Sequence, residues 1–536
     1  MKVIELLNRP KQAIIQAYET ADFQKDYFQY ERTDLGERQR LQKIDDTSFN
    51  REALQKVIAQ FMKQYRTSER IEHHLEQITH PEAVFVVGGQ QAGLLTGPLY
   101  SVHKAISVIL YAKEQTERYG RPFIPLFWVA GEDHDIDEIN HMYVEKNGQL
   151  HKAVYPERSP LKKMATQTEF DRETMHSYVD QMIRTFRETT YTKEILRQLH
   201  EAVDATDNYT SFFVYLMNEL FNEAGLLYID AAYEPFKQIQ VDALIQLVER
   251  NEAIAESVVK KEQQYAEAMG QKPLQATLDN AHLFYVHDTG RLLLKREGEQ
   301  FIYEPLQLRW SKEEIIEEIT QHPERFSNDV VTRPIMQQMM LPTFAFLAGP
   351  GELAYWATLK EAFQAVDVAM PLLIPRHSIT LVPRDVQYAL QQLDIPVEKS
   401  LDQRYDLLME RHMEKAKDEQ FLAALHEAKN NLEQALQQLQ QTAPTPSVQR
   451  VLQKNKQYHE KQFDYVEQFY DREIALQEET MIRRLRTVER QLLPEGAPQE
   501  RMYTPYYYVN EYGLDLIEKL LKNYYSWNDC HKIVIL

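Results

Sequence analysis

Residues 84–106 read VFVVGGQQAGLLTGPLYSVHKAI, and this stretch decides the fold class. Val84–Val87 is a short apolar run rich in β-branched side chains, as in a strand covered on both faces. Gly88, Gly89, Gly93 and Gly97 follow within ten positions, in a chain with only 16 glycines. Pro98 suits the first turn of a helix. A parallel strand, a glycine-rich loop and a helix form an arrangement that binds phosphates. Glycine lets the backbone come close, and the helix N-terminus offers free N–H groups at the positive end of its dipole. Gly88, Gly89, Gln90, Gly93, Gly97 and Tyr100 are therefore expected around an anion, with His103 and Lys104 supplying charge from the first two helical turns. No lysine follows Gly93 and the glycine spacing is not G-x-G-x-x-G, so neither a Walker A loop nor a dinucleotide fingerprint is assigned.

Four further apolar runs share the character of the first: 123–129, 225–230, 343–348 and 371–374. Helical patterns lie between them, which predicts an α/β fold, a Rossmann-like parallel sheet. The spacing predicts a helical N-terminal segment over 1–80 that packs on this core, and a core over 81–384. Two inserts interrupt the core. One, near 150–222, is polar and helical. The other, near 255–330, carries a hairpin over 281–303 that turns at Asp288-Thr289-Gly290. From 385 to about 500 glycine nearly vanishes, and Leu425, Leu432 and Leu439 recur every seven residues, with Leu422 and Leu436 between them. The Pro-bearing TAPTPS turn at 442–447 splits this region into an antiparallel α-helical coiled-coil hairpin. A C-terminal segment, 501–536, brings Tyr503, Tyr506, Tyr507, Tyr508 and Tyr512, read first as packing residues.

Three more stretches carry chemistry. WVAGEDHDIDEINH (128–141) follows a strand and holds seven ionisable groups: Glu132, Asp133, His134, Asp135, Asp137, Glu138 and His141. In an open α/β sheet the strand C-terminal ends converge on the ligand crevice. Asp133, His134 and Asp135 are therefore catalytic candidates, and Glu132 and Asn140 candidate substrate ligands. His134 and His141 are expected on one helical face. Without a second Glu-x-x-His no dedicated protein-bound metal is expected. FLAGPGELAYWATLKEAF (346–363) repeats the strand–glycine–helix pattern, placing Gly349 and Gly351 against the crevice and Glu352 and Tyr355 toward a substrate amine or hydroxyl. Arg376, after the last strand, is positioned to pair with phosphate or carboxylate.

A formal net charge of −20 argues against nucleic-acid or anionic-membrane binding. Cys530 is the only cysteine, which excludes an internal disulfide and a cysteine-based metal site. With no apolar leader and no membrane-length apolar run, the expected location is the cytoplasm.

GGQQAGLLTGPLYSVHKAI, WVAGEDHDIDEINH and FLAGPGELAYWATLK, in this order and ahead of a long coiled coil, resemble the BshC family of bacillithiol biosynthesis across essentially the whole chain. The resemblance implies a core similar to class I aminoacyl-tRNA synthetases, with connecting inserts and a coiled coil that supports a homodimer. Neither signature of those synthetases, His-x-Gly-His or Lys-Met-Ser-Lys-Ser, occurs here literally. The implied reaction is a ligation that joins the carboxylate of L-cysteine to the amine of glucosaminyl malate, with ATP and Mg²⁺ as the implied activating system. On that reading the loop amides with His103 and Lys104 stabilise the phosphates, Asp133, His134 and Asp135 position the amino-acid ammonium or assist deprotonation of the incoming amine, and Glu352 binds a substrate amine or hydroxyl. Two other classes remain open at this point: a nucleotide-binding assembly protein that presents its coiled coil to partners, and a metal-dependent hydrolase built on 132–141.

Overall fold

The computed structural model describes residues 1–146, 148–156 and 161–536. Its central sheet has five parallel strands: β1 (Val84–Gln90), β2 (Phe123–Val129), β3 (Leu227–Asp230), β4 (Thr343–Ala348) and β5 (Leu372–Pro375). They lie side by side in the order β5-β4-β1-β2-β3. Nearly every residue of these strands is buried, because helices cover both faces. Pro125 is tolerated in β2 because the ladder to β3 begins one residue later, at Leu126↔Leu227. Helix α1 (Leu99–Tyr119) returns along β1 and β2, and its C-terminus is closed by Gly120 in the left-handed conformation. Helix α2 (Pro350–Trp356) leaves the end of β4. The chain runs outward from β1 in both directions across the sheet, so strand order reverses between β1 and β4. Crevices for ligands open at the C-terminal ends of such a pair.

The crossover from β3 to β4 carries an antiparallel five-stranded sheet. Its order is Leu308–Ser311, Gln300–Tyr303, Gly290–Glu297, Asn280–His287, Phe326–Asn328. The hairpin turns at Asp288-Thr289 as expected, and Gly290 enters the next strand with φ +128°. The other insert differs from its expectation at its start. Gln149–Val154 pairs with His141–Lys146 as a two-stranded hairpin before the helices Arg172–Ile183, Thr192–Ala205 and Tyr209–Phe221 begin. Residues 157–160 of that insert lie outside the described residues. The hairpin also overturns the shared helical face of His134 and His141. Only Ile136–Ile139 is helical there, and alternating burial from His141 onward draws the chain into a strand. The N-terminal segment is not all helix either, since it opens with the strand Lys2–Leu6, which pairs with the final strand His531–Ile535.

By its internal contacts the chain divides into two compact units. One comprises Met1–Thr380 together with Pro498–Val534, so the C-terminal segment is part of the core unit rather than a separate piece. Tyr503, Tyr506 and Tyr508 are buried within it. The other, Leu381–Ala497, contains the two long helices Glu419–Gln441 and Pro446–Gln477, which pack against each other. Thr445 caps the second of them by accepting the Val448 N–H, with Pro446 at its first turn. Leu436 is buried in the seam, and Lys429, which interrupts the leucine pattern, pairs across it with Asp464 at 3.0 Å.

Candidate active site

A cavity of about 690 Å³ opens at the C-terminal ends of β1 and β4. Gly89, Gln90 and Gln91 from the end of β1 form one wall, and residues 130–135 after β2 form the next. Gly349–Glu352 at the start of α2, Tyr355 and Arg376 close a third side. The inserted antiparallel sheet contributes Phe284, Arg291 and Leu293, and Arg333 comes from the helix Thr332–Met340.

On the α1 side, Lys104 is almost fully buried. Its ammonium donates to the Gly89 carbonyl at 2.6 Å, to Gln90 Oε1 at 3.2 Å and to Glu352 Oε2 at 2.5 Å. Burial pulls its pKa below the ordinary lysine value, against the pull of Glu352. Glu352 also accepts the Gly349 N–H at 2.7 Å, so one carboxylate ties α1 to the start of α2. Arg376 makes a two-pronged pair with Glu500, at 2.8 and 2.9 Å, and its guanidinium lies 6.0 Å from the Tyr100 ring centre. Glu500 also meets His103 Nδ1 at 3.1 Å. Burial opposes ionisation of Glu500, but Arg376 and His103 outweigh it and hold the carboxyl well below its usual range.

The loop after β2 is fixed by its own acids. Asp133 accepts the backbone N–H of His134 at 2.7 Å and the side-chain amide of Gln91 at 2.7 Å, which also reaches Glu138 at 2.8 Å. Glu132 is buried in an ion pair with Lys237. His134 Nδ1 faces the Arg291 guanidinium at 3.2 Å, and burial, then Arg291, lower the pKa of that imidazole. Arg291 stacks 3.7 Å from the Phe284 ring centre and donates to Ser327 Oγ at 2.8 Å and to the Asn328 carbonyl. Arg333 donates to the Tyr355 hydroxyl at 3.0 Å and to Gln337 Oε1 at 3.1 Å. Among the described residues no carboxylate lies within ion-pairing distance of Arg291 or Arg333. Two guanidinium groups thus face the cavity held by neutral partners and π-faces, ready for an anion.

Two family models match the chain. The N-terminal Rossmann-like domain of the bacillithiol biosynthesis protein BshC matches residues 1–377, and its C-terminal coiled-coil domain matches 379–536. The chain belongs to the BshC family. A relative from Lysinibacillus sphaericus is 39% identical over 512 residues, 95% of either chain. Another from Bacillus cytotoxicus is 34% identical over 537 residues, 99% of this chain and all of the relative. Each carries the name "Putative cysteine ligase BshC". A Geobacillus relative of the same name is 35% identical over 501 residues, 93% of this chain and 92% of its own.

Thirteen of the eighteen residues expected at the site line the cavity: Gly89, Gln90, Tyr100, Lys104, Glu132, Asp133, His134, Asp135, Gly349, Gly351, Glu352, Tyr355 and Arg376. Five do not. His103 is fully buried and faces Glu500, so it stands behind Arg376 rather than against a ligand. Asn140 is buried beside the loop, bonding Asp137 at 3.2 Å and accepting the Tyr155 N–H at 2.8 Å. Gly88 packs against α1, where a Cβ would stand 2.6 Å from Val108 Cγ2. Gly93 and Gly97 fold against each other, a Cβ on Gly93 falling 2.8 Å from the Gly97 Cα, and line a separate crevice of about 30 Å³. The glycine loop is therefore a tight turn, with Leu95, Thr96 and Gly97 at φ +50°, +68° and +67°. The Leu99 N–H at the start of α1 donates to the Tyr503 carbonyl at 2.8 Å, so that one donor of the helix start is engaged by the C-terminal segment. Arg291, Arg333 and Glu500 escaped the sequence reading. For Arg291 one signal existed, an arginine directly after the hairpin's Asp-Thr-Gly turn. Among the described residues no group of three or more His, Cys, Asp or Glu side chains is placed to hold a metal ion, and no helix is long and apolar enough to cross a membrane.

Proposed function

We propose that this chain ligates L-cysteine to the amine of glucosaminyl malate, forming an amide, with ATP activating the cysteine carboxylate. Family membership supports the reaction class, and the pair Arg291–Arg333 in the cavity is the observation that carries the site assignment. Activation forms a bond between a carboxylate oxygen and the α-phosphorus and releases pyrophosphate, so negative charge grows on phosphate oxygens. Fixed guanidinium groups in a partly enclosed cavity stabilise such charge without reorganising. The amine of the sugar then attacks the acyl carbon and the adenylate leaves. Mg²⁺ carried by the nucleotide neutralises phosphate charge.

In this reading Asp133 and Asp135, at the cavity wall, receive the cysteine ammonium and the incoming amine. Arg291 engages the Nδ1 lone pair of His134, so the neutral ring carries its proton on Nε2 and orients the substrate as a donor, while Asp135 accepts the proton the amine sheds on attack. Lys104 and Glu352 neutralise each other, so their part is to fix the floor of the cavity rather than to bind phosphate. The second unit supports the remaining proposal, a homodimer of cytoplasmic chains. Leu439, Val451, Tyr458, Phe469 and Leu476 all expose more than half of their surface along its long helices.

The deciding experiment incubates the purified protein with cysteine, glucosaminyl malate and Mg-ATP and follows product by mass spectrometry, beside a no-ATP control and the Arg333→Ala variant. The expected result is ATP-dependent product, reduced at least 100-fold in the variant while its thermal melt is unchanged. Equal product from Arg333→Ala would remove the site assignment. Product without ATP would remove the activation step. Bound ATP with no product from any form would favour the assembly-protein reading.

A further inference from the structure

We propose a divalent-metal site, unconnected with the ligation cavity, between the helices Arg172–Ile183 and Thr192–Ala205, with His176 and His200 as its two protein ligands. The two helices run antiparallel, and each carries a histidine followed four residues later by an aspartate: His176 and Asp180 on one, His200 and Asp204 on the other. Residues four apart share a helix face. The pairs cross. His176 Nε2 meets Asp204 Oδ1 at 2.9 Å, and His200 Nε2 meets Asp180 Oδ1 at 3.0 Å. Asp180 has one further partner, Arg184, at 3.6 Å from its other oxygen.

The crossing determines the chemistry of what is left. A carboxylate accepts and never donates, so each aspartate requires its histidine to carry the proton on Nε2. In each neutral ring so held, Nδ1 is the nitrogen that keeps the lone pair. Those two nitrogens face each other at 2.5 Å, with ring centres 4.7 Å apart. Two lone pairs so placed repel unless something positive lies between them. An imidazole whose distal N–H is held by a carboxylate is also the arrangement in which histidine binds a metal most strongly, because the acid fixes the ring and raises its basicity.

Nitrogen ligands of this kind select Zn²⁺, Cu²⁺ or Ni²⁺ over Mg²⁺ or Ca²⁺. Tetrahedral Zn²⁺ with bonds of about 2.0 Å holds two nitrogens roughly 3.3 Å apart. The side chains are 31% and 32% exposed, so water can fill the other positions once the two rings part from 2.5 Å to that spacing. A bound ion would staple the two helices of the first insert.

The test uses the full chain, stripped with a chelator, and Zn²⁺ alone as the probe, in competition with a chromophoric indicator at pH 7.5. Wild type is expected to bind one more Zn²⁺ per chain than either His176→Ala or His200→Ala. Asp204→Asn should weaken that ion about tenfold or more. Hydrogen exchange gives a second readout: Zn²⁺ should slow the amides of 172–205 in wild type and leave both histidine variants unchanged. Circular dichroism confirms that these half-exposed substitutions leave the helices folded. Equal Zn²⁺ uptake by wild type and both histidine variants overturns the proposal, since other histidines then bind the ion. Absence of any Zn²⁺-dependent protection overturns it too, and leaves a shared proton as what separates the two nitrogens.

Discussion

Asp230 ends β3 as a carboxyl buried among neutral donors. It accepts the Thr166 hydroxyl at 2.6 Å and the Ala232 N–H at 2.9 Å, and burial pushes its pKa up to about 6. A carboxyl raised above its unfolded value near 3.9 keeps its full stabilising contribution below that value, and loses it as pH climbs through 6. Asp230→Asn removes the charge and preserves an accepting oxygen. It should therefore raise stability by roughly 2–3 kcal/mol at pH 8, from a shift of about two units at 1.4 kcal/mol each, and change little at pH 4. Denaturant melts at the two pH values check this, and equal effects at both would exclude ionisation as the cause. His103 and Lys104 teach a related point. They are neighbours in sequence, but successive helical residues diverge by about 100° around the axis. One cannot expect both to serve one anion, and here Lys104 meets the cavity floor while His103 turns to Glu500.

At the scale of elements, the apolar runs that predict β1 to β5 are legible because burial on both faces demands nearly unbroken hydrophobic sequence. The hairpin 141–154 is not, since one exposed face breaks that pattern and its first strand overlaps an acid-rich stretch that also reads as helix start. Cavity residues adjoining strand ends, such as Asp133 and Glu352, come from the same logic. Arg333 and Arg291 do not, because each is an ordinary residue of its own element and gains meaning only when the inserted sheet and the helix Thr332–Met340 border the same cavity. The long hairpin of the second unit carries a prediction of its own. An isolated two-helix seam that buries Leu436 but leaves Leu439 52% and Phe469 52% exposed has apolar surface to spare. Leu439→Glu together with Phe469→Glu should convert a dimer to a monomer in analytical ultracentrifugation at micromolar concentration, with little loss of helix. A wild-type monomer, or a dimer indifferent to both changes, would place the interface elsewhere.

Across the whole molecule, Glu500 binds the end of the chain to its middle. Its folded pKa is depressed by Arg376 and His103, so the stabilisation it provides is present above the unfolded value near 4.3 and is lost as pH falls through the folded one. Removing one member of such a buried pair costs about 3–5 kcal/mol. Glu500→Ala should show that loss at pH 7 and very little of it in strong acid, read from denaturant midpoints; a loss of the same size at every pH would mean packing rather than charge. The pairing of Lys2–Leu6 with His531–Ile535, and the Tyr503 carbonyl on the first turn of α1, place the same unit's opening and closing residues side by side. On the ribosome, therefore, the core waits. Everything from β1 to β5 emerges long before Pro498, with Arg376 lacking its counter-charge and α1 lacking its cap while more than a hundred further residues are made. A product cut short before Glu500 therefore leaves Arg376 and His103 without the carboxylate that joins them behind the cavity wall.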